Sequence, residues 1–214
     1  MKNIVFAISL LFSFYTSAQS LEFRVGPQYT KFLNTDSYYI DCYAQLSPSY
    51  YLDYNLTAGP KKHNLTLQVG FQSYSGVQKQ SSGGLGSNFY HVDSFSKAVL
   101  NLAILPIQKK WTNGIYTKAG LGLDVLIYSK VHGHSGGWAM NGPSIPTIYY
   151  NEDVRQVSKP IVPLLIGEFG KVFSIGPRAL LTLGYHFSIG FSKEMTYSYA
   201  LKNMLLLGFR YDLK

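Results

Sequence analysis

What most constrains the fold of this 214-residue chain is the rhythm of its connectors. Beyond residue 20, segments of alternating polarity are joined in turn by very short and by long linkers. Short turns fall at Gly59-Pro60-Lys61-Lys62-His63, Thr112-Asn113-Gly114 and Ser174-Ile175-Gly176-Pro177. Long polar stretches fall near 31–46, 75–94, 129–159 and 191–200. Barrels that cross a membrane show this asymmetry, with tight turns on the periplasmic side and long loops outside. The pattern predicts an all-β fold: an eight-stranded antiparallel transmembrane up-and-down β-barrel with both termini in the periplasm.

Eight segments carry the alternation, near 21–30, 47–58, 64–75, 95–108, 115–128, 160–173, 178–190 and 201–213. Each is close to or above the roughly 9–11 residues a tilted strand needs to cross the hydrocarbon layer. Between 115 and 128, one face carries Ile115, Thr117, Ala119, Leu121, Leu123, Val125 and Ile127; the other carries Tyr116, Lys118, Gly120, Gly122, Asp124, Leu126 and Tyr128. That is a period of two. Segments 64–75 and 178–190 repeat it. Segment 160–173 is almost continuously apolar around Pro160 and Pro163, and 95–108 contains Leu105-Pro106-Ile107. Both are read as strands, with the prolines where no ladder hydrogen bond is needed.

A soluble barrel and a membrane barrel use this alternation in opposite senses. Lipid takes bulky aliphatics, and a narrow lumen takes small and polar groups, so the apolar face is assigned to the outside. Glu22, Arg24, Asp53, Lys97, Lys118, Asp124, Glu168, Arg178, Lys202, Arg210 and Asp212 then point inward. Charges withdrawn from water persist when they are paired, which predicts an ion-pair and hydrogen-bond plug rather than an open pore. Tyr29, Tyr50, Tyr74, Trp111, Tyr116, Tyr128, Phe173 and Tyr211 lie toward segment ends, where amphipathic rings form interfacial girdles.

Residues 1–18 have a basic start at Lys2, an apolar run from Ile4 to Phe14 and a Thr16-Ser17-Ala18 end, the pattern of a secretory signal cleaved before Gln19. Residues 19–214 then form one barrel domain, and the sole cysteine, Cys42, has no internal disulfide partner. The net charge of +8 is spread singly along the chain, without the basic run that nucleic-acid binding requires. It suits an envelope rich in anionic headgroups.

The C-terminal Asn203-Met204-Leu205-Leu206-Leu207-Gly208-Phe209-Arg210-Tyr211-Asp212-Leu213 resembles the closing strand of a bacterial outer-membrane barrel. Its Gly208-x-x-Tyr211-x-Leu213 spacing is similar to the terminal signal read by the barrel-assembly machinery. Leu100-Asn101-Leu102-Ala103-Ile104-Leu105-Pro106 and Tyr116 to Leu123 resemble the central hairpin of the outer-membrane protein β-barrel domain family, small barrels of Gram-negative bacteria. The stretch from Leu183 to Leu213 is similar to that family's last hairpin. The resemblance implies residence in the outer membrane, assembly by the barrel machinery, contact with outer-membrane lipid, no cofactor and no shared catalytic residues.

Three motifs carry candidate chemistry. His186-x-Ser188 with Glu194 contains the residue types of an acyl-transfer triad, and lipid A deacylase barrels carry a similar His-x-Ser. There the motif continues with Asn, here with Ile189, and the alternation turns His186 and Ser188 away from lipid. His132-Gly133-His134 supplies two metal-ligand types, with His91, Glu152 or Asp153 as distant third candidates. Gly83-Gly84-Leu85-Gly86 lacks the Lys of a phosphate loop and reads as a loop tip. The stretch 145–157 reads as a hairpin above the membrane, either plain continuation of the barrel or an edge able to take an extracellular or envelope protein partner by strand addition. The sequence therefore favours a structural or surface-interaction protein with no catalytic, cofactor or metal residues. A lipid-modifying enzyme, a narrow solute channel and a barrel subunit of a secretion machine are the alternatives.

Overall fold

The computed structural model describes residues 18–34, 40–44, 46–58, 63–84, 87–139, 145–153, 159–191 and 198–213. The predicted signal, apart from Ala18, and most of the Gly59–His63 turn lie outside the described residues. Among the described residues there are ten strands: β1 (Ala18–Asn34), β2 (Ile40–Ala44), β3 (Leu46–Ala58), β4 (His63–Gly84), β5 (Ser87–Lys110), β6 (Ile115–Ala139), β7 (Ile145–Asp153), β8 (Ile161–Ser174), β9 (Ala179–Gly190) and β10 (Ser198–Asp212).

Eight of them close a ring in the order β1-β3-β4-β5-β6-β8-β9-β10, every pair antiparallel. The seam joins the two ends of the chain, from Ser20 opposite Asp212 to Asn34 opposite Ser198. The other two strands continue barrel strands past a break. Along β4, the row begun by β3 at its lower half is taken up by β2, from Ala44 opposite Gly76 to Ile40 opposite Gln80. Along β6, β8 pairs with Ile115–Val125 and β7 with Lys130–Gly137.

The predicted loop 75–94 is therefore mostly strand. Ser75 to Gly84 pair residue by residue with Ser96 to Ser87, and the loop tip shrinks to the Gly-rich stretch near 84–87. Polarity suggested a loop here because a strand that has left the membrane has no lipid-facing side to mark it. β2, β4, β5, β6 and β7 together raise a five-stranded sheet above the barrel, on the side opposite the short turns.

Below it, each barrel strand exposes bulky apolar groups: Phe23, Leu52, Phe71, Leu102, Leu123, Leu165, Leu183 and Leu207. A surface apolar on every strand has no place in water, and no helix among the described residues is long and apolar enough to span a membrane. The belt is bounded by rings. Tyr211 stands opposite Leu21, and Tyr29 lies eight residues further along β1, about 26 Å of strand at roughly 3.3 Å per residue. Tilted by roughly 40°, that length rises about 20 Å, most of the roughly 25 Å height of a lipid-facing band. Trp111, Phe173 and Tyr211 ring the short-turn end; Tyr29, Tyr50 and Tyr128 ring the other. Tyr74 and Tyr116 correct the expected girdle: in phase with Gln72 and Lys118, they are buried in the lumen.

Two irregularities explain what strict alternation misses. Between Ala98↔Tyr128 and Val99↔Leu126, β6 holds one extra residue, so Tyr128 swings from its predicted inward face to the lipid side and Ser129 and Val131 turn inward. Between Ile104↔Leu121 and Ile107↔Ala119 the extra residue is on β5, and Pro106 falls inside that bulge, where a ladder donor is not required. The carbonyl of Pro163 accepts the amide of Phe191 just past the end of β9, so the side of Pro163 that lacks a donor faces the point where pairing stops.

The position of the belt gives a direct test. Leu123→Arg, which sets a guanidinium against lipid at mid-strand, is expected to cost about 2–4 kcal/mol of unfolding free energy in lipid vesicles. Thr112→Arg in the exposed short turn is expected to cost less than about 0.5 kcal/mol. Equal costs in denaturant titrations followed by tryptophan fluorescence would contradict the assigned inside and outside.

Candidate functional site

Among the described residues the lumen encloses four carboxylates, Glu22, Asp53, Asp124 and Glu168, and four cations, Arg24, Lys97, Lys118 and Lys202, all buried. Strand alternation delivers them: β1 contributes Glu22 and Arg24, β3 Asp53, β5 Lys97, β6 Lys118 and Asp124, β8 Glu168 and β10 Lys202. Arg24 is the hub. Its guanidinium meets Asp53 at 2.8 Å and Glu168 at 2.5 Å, and lies 5.6 Å from the centroid of the Tyr51 ring. Lys118 Nζ reaches Asp53 at 3.2 Å, Glu22 at 3.8 Å and Glu168 at 4.0 Å. Gln68 donates to Asp53 at 3.1 Å, and Thr182 to Glu22 at 2.5 Å. In a second layer, Lys202 pairs with Asp124, which also accepts from Asn101 at 2.8 Å.

Glycines make this crowding feasible. A Cβ on Gly70 would enter the Tyr51 ring, and one on Gly208 would strike the Thr182 hydroxyl and Arg24 Cγ. The rest of the interior departs from the small-and-polar expectation. Ala103, Leu105, Val162, Leu164 and Ile166 pack as an apolar wall on one side, and Tyr51, Met204 and Leu206 on another. A lumen just wide enough to be filled by side chains rewards volume as much as polarity. This is why β8 is apolar on both faces.

Not every predicted lumen residue arrives there. Arg178 is exposed: it precedes Ala179, in the short turn, where strand alternation has not yet begun, and its carbonyl accepts the Asp212 amide. Arg210 and Asp212 pair with each other at 3.0 Å, half-buried at the barrel mouth. That mouth holds a vestibule of about 160 Å³ whose lining includes Glu22, Tyr116, Lys118 and Arg210. A second void of about 10 Å³, room for about one water, lies beside Lys97 and Asp124. The two share no lining residue, and the Arg24 layer stands between their charged groups.

His186 and Ser188 are fully buried on the lumen side of β9, facing away from lipid. His186 Nδ1 is held by Glu168 at 3.2 Å, and its ring packs on Tyr51, 5.2 Å between centroids. Glu194 lies outside the described residues. The structure thus ties His186 into the ion-pair layer and not to Ser188.

The histidines of the raised sheet also part company. His134 leans on Tyr90 and Tyr149 at centroid distances of 6.0 and 5.7 Å, on the same face as His132. His91 is on the opposite face, where Nε2 meets Asp93 Oδ2 at 2.8 Å and the Tyr150 hydroxyl at 2.9 Å, and Tyr150 also donates to Asp93 Oδ1. Among the described residues no three His, Cys, Asp or Glu side chains converge, and those of Glu152 and Asp153 lie outside them. The Asp93–Tyr150 contact escapes a reading of the sequence that treats 75–94 as loop. Once that stretch is strand, His91-x-Asp93 share a face and Asp93, Gly133 and Tyr150 form one cross-strand row.

A closed eight-strand barrel, apolar outside and filled inside, defines an outer-membrane-type β-barrel. No family model matches the sequence, and no curated protein does. Among solved structures it is similar to Neisserial surface protein A, at 12% identity over 90% of this chain and 97% of that one, TM-score 0.39. It is similar to Ail, the attachment invasion locus protein of Yersinia pestis, at 10% identity over 91% and 99%, TM-score 0.34. The translocator domain of the autotransporter NalP from Neisseria meningitidis matches at 8% identity over 99% and 98%, TM-score 0.26.

The ion-pair layer predicts a specific inequality. Glu168→Ala leaves the Arg24 guanidinium and His186 short of a buried partner and is expected to cost about 3–5 kcal/mol. Asp212→Ala breaks only the half-exposed rim pair and is expected to cost under about 1 kcal/mol. Unfolding titrations in the same vesicles measure both.

Proposed function

We propose that the protein is an outer-membrane barrel, exported by its N-terminal signal, that acts through its raised sheet as a structural or surface-contact element and not as a channel or catalyst. The observation that carries this is the length of the central strands. β5 has 24 residues and β6 has 25, against the roughly 9–11 that suffice to cross, so about half of each stands clear of the membrane. There Tyr149, Ile148, Trp138 and Phe89 are exposed, and among the described residues β7 and β2 each pair on one side only, which offers ladder groups to a partner strand. The lumen contributes rigidity, its charges locking strands that are far apart in sequence.

A photo-crosslinking amino acid at Tyr149 in living cells tests the contact role. Adducts with an envelope or extracellular protein are expected at Tyr149 and not at Asn113 in the short turn; no adduct at either position, or the same adducts at both, would refute it. The sealed lumen predicts no stable conductance from wild-type protein in a planar bilayer, with Asp124→Ala weakening the seal. Reproducible step openings from the wild type would place the narrow channel first.

A further inference from the structure

The lipid side of the barrel carries charge on one arc of its short-turn rim. There β1, β4, β9 and β10 present Leu21, Leu65, Leu181 and Phe209 to lipid, whereas β5 presents Lys109 and β8 presents Lys171. Register sets Lys109 beside Thr117 and Phe169, and Lys171 beside Ile115, all on the lipid side. Each ammonium lies over the ring two residues nearer the turn: Lys109 Nζ is 5.1 Å from the Trp111 centroid, and Lys171 Nζ is 5.3 Å from that of Phe173. The stems therefore run along apolar surface and deliver both charges to the level of the girdle, where headgroups begin. Among the described residues neither ammonium meets a carboxylate, and Asp212 at this mouth is held by Arg210 at 3.0 Å. Exposed Lys110 at the end of β5 and exposed Arg178 in the turn after β8 add two more positive charges to the same arc.

Between the two lysines runs a furrow. β5 and β8 both pair with β6, so they stand about 10 Å apart at roughly 4.8 Å per strand. On the lipid side of β6 the floor is Thr117 and Ala119, both small. Its walls are Ile107, opposite Ala119 and 69% exposed, and Phe169, opposite Thr117 and 53% exposed. The furrow leads from the charged rim up into the apolar belt, so a molecule that fills it is apolar along its length and negative at one end. A phospholipid has that form. A zwitterionic headgroup brings an ammonium of its own against the arc, whereas an anionic one brings only the phosphate. We propose that Lys109, Lys171 and Trp111 bind one anionic phospholipid from the leaflet on the short-turn side. Its phosphate lies between the two ammonium groups, with the Trp111 indole N–H as a further donor, and an acyl chain lies over Thr117 and Ala119.

Full-length protein in a non-ionic detergent is mixed with equal amounts of phosphatidylglycerol and phosphatidylcholine of the same chains, and retained lipid is counted by native mass spectrometry. One phosphatidylglycerol per chain is expected, preferred by at least about 5-fold, the weight of one lysine at a lipid phosphate. Replacing both lysines, Lys109→Gln with Lys171→Gln, should bring the ratio close to one. Thr117→Trp fills the floor without touching charge and should lower retention of phosphatidylglycerol. Lys31→Gln, exposed on the lipid side of the opposite rim, should change neither. Heat-modified gel mobility of each variant establishes a folded barrel, so a lost preference cannot come from misfolding. Equal retention of the two lipids by the wild type, a preference that survives in the double variant, unchanged retention in Thr117→Trp, or the same loss in Lys31→Gln would overturn the site.

Discussion

In hydrocarbon there is no water to satisfy a backbone amide, and the rest of this structure follows from that. Strands that cross must pair on both sides, so the sheet has to close. Eight strands close into a tube whose interior is about the width of opposed side chains. The lumen then has room either for a filled core or for charges in contact, and this chain uses both. Arg24, Asp53, Lys118 and Glu168 meet because strands β1, β3, β6 and β8 are forced around a small circumference. Leu105, Leu164 and Ile166 fill the volume those charges leave.

Two environments divide the chain, and only one leaves surface for recognition. Within the belt, the outer side chains are spent on lipid and the inner ones on each other, His186 included. Above it, the same strands continue with polar outer faces and exposed rings, stabilised by neighbours in the sheet and by bonds such as Tyr150 to Asp93 that cross a glycine row. Lumen and raised sheet also share a boundary: Tyr74, Phe95, Val99, Val131 and Ala200 form an apolar plug at the level where the sheet leaves the barrel.

Legibility in the sequence follows the same division. Where lipid presses on one face, period-two alternation is enforced residue by residue, and the eight crossings, their sense and most lumen charges can be read directly. The reading fails where that pressure is absent or the phase slips. Strict alternation puts Tyr128 on the wrong face because one extra residue in β6 shifts everything after Leu126. Alternation carried one position into a turn places Arg178 in the lumen, where it does not lie. Residues 75–94 read as loop because a strand in water shows no apolar stripe, and that hides the face His91 and Asp93 share with Tyr150. Apolar residues on the lumen side of β8 are invisible to any rule that equates inside with polar.

Closing the tube is the least local step in making it. The seam pairs β1 with β10, strands at opposite ends of the chain, and the groups that brace it are equally distant: Glu22 with Thr182, Tyr51 with Met204, Asp124 with Lys202. Hairpins such as β4–β5 and β5–β6 join neighbours across a short turn and lose little entropy on forming, whereas the seam must close a loop of nearly the whole domain before any of its contacts contribute. Until it does, β1 and β10 are open edges in a medium that cannot satisfy them, and Arg24 lacks the partner on β8 that closure brings into reach. A last strand that is apolar on its lipid face from Leu205 to Phe209 therefore answers an assembly demand as much as a structural one. The same closure that makes the barrel slow to assemble gives it strength once formed, because no strand can leave without opening ladders on both of its sides.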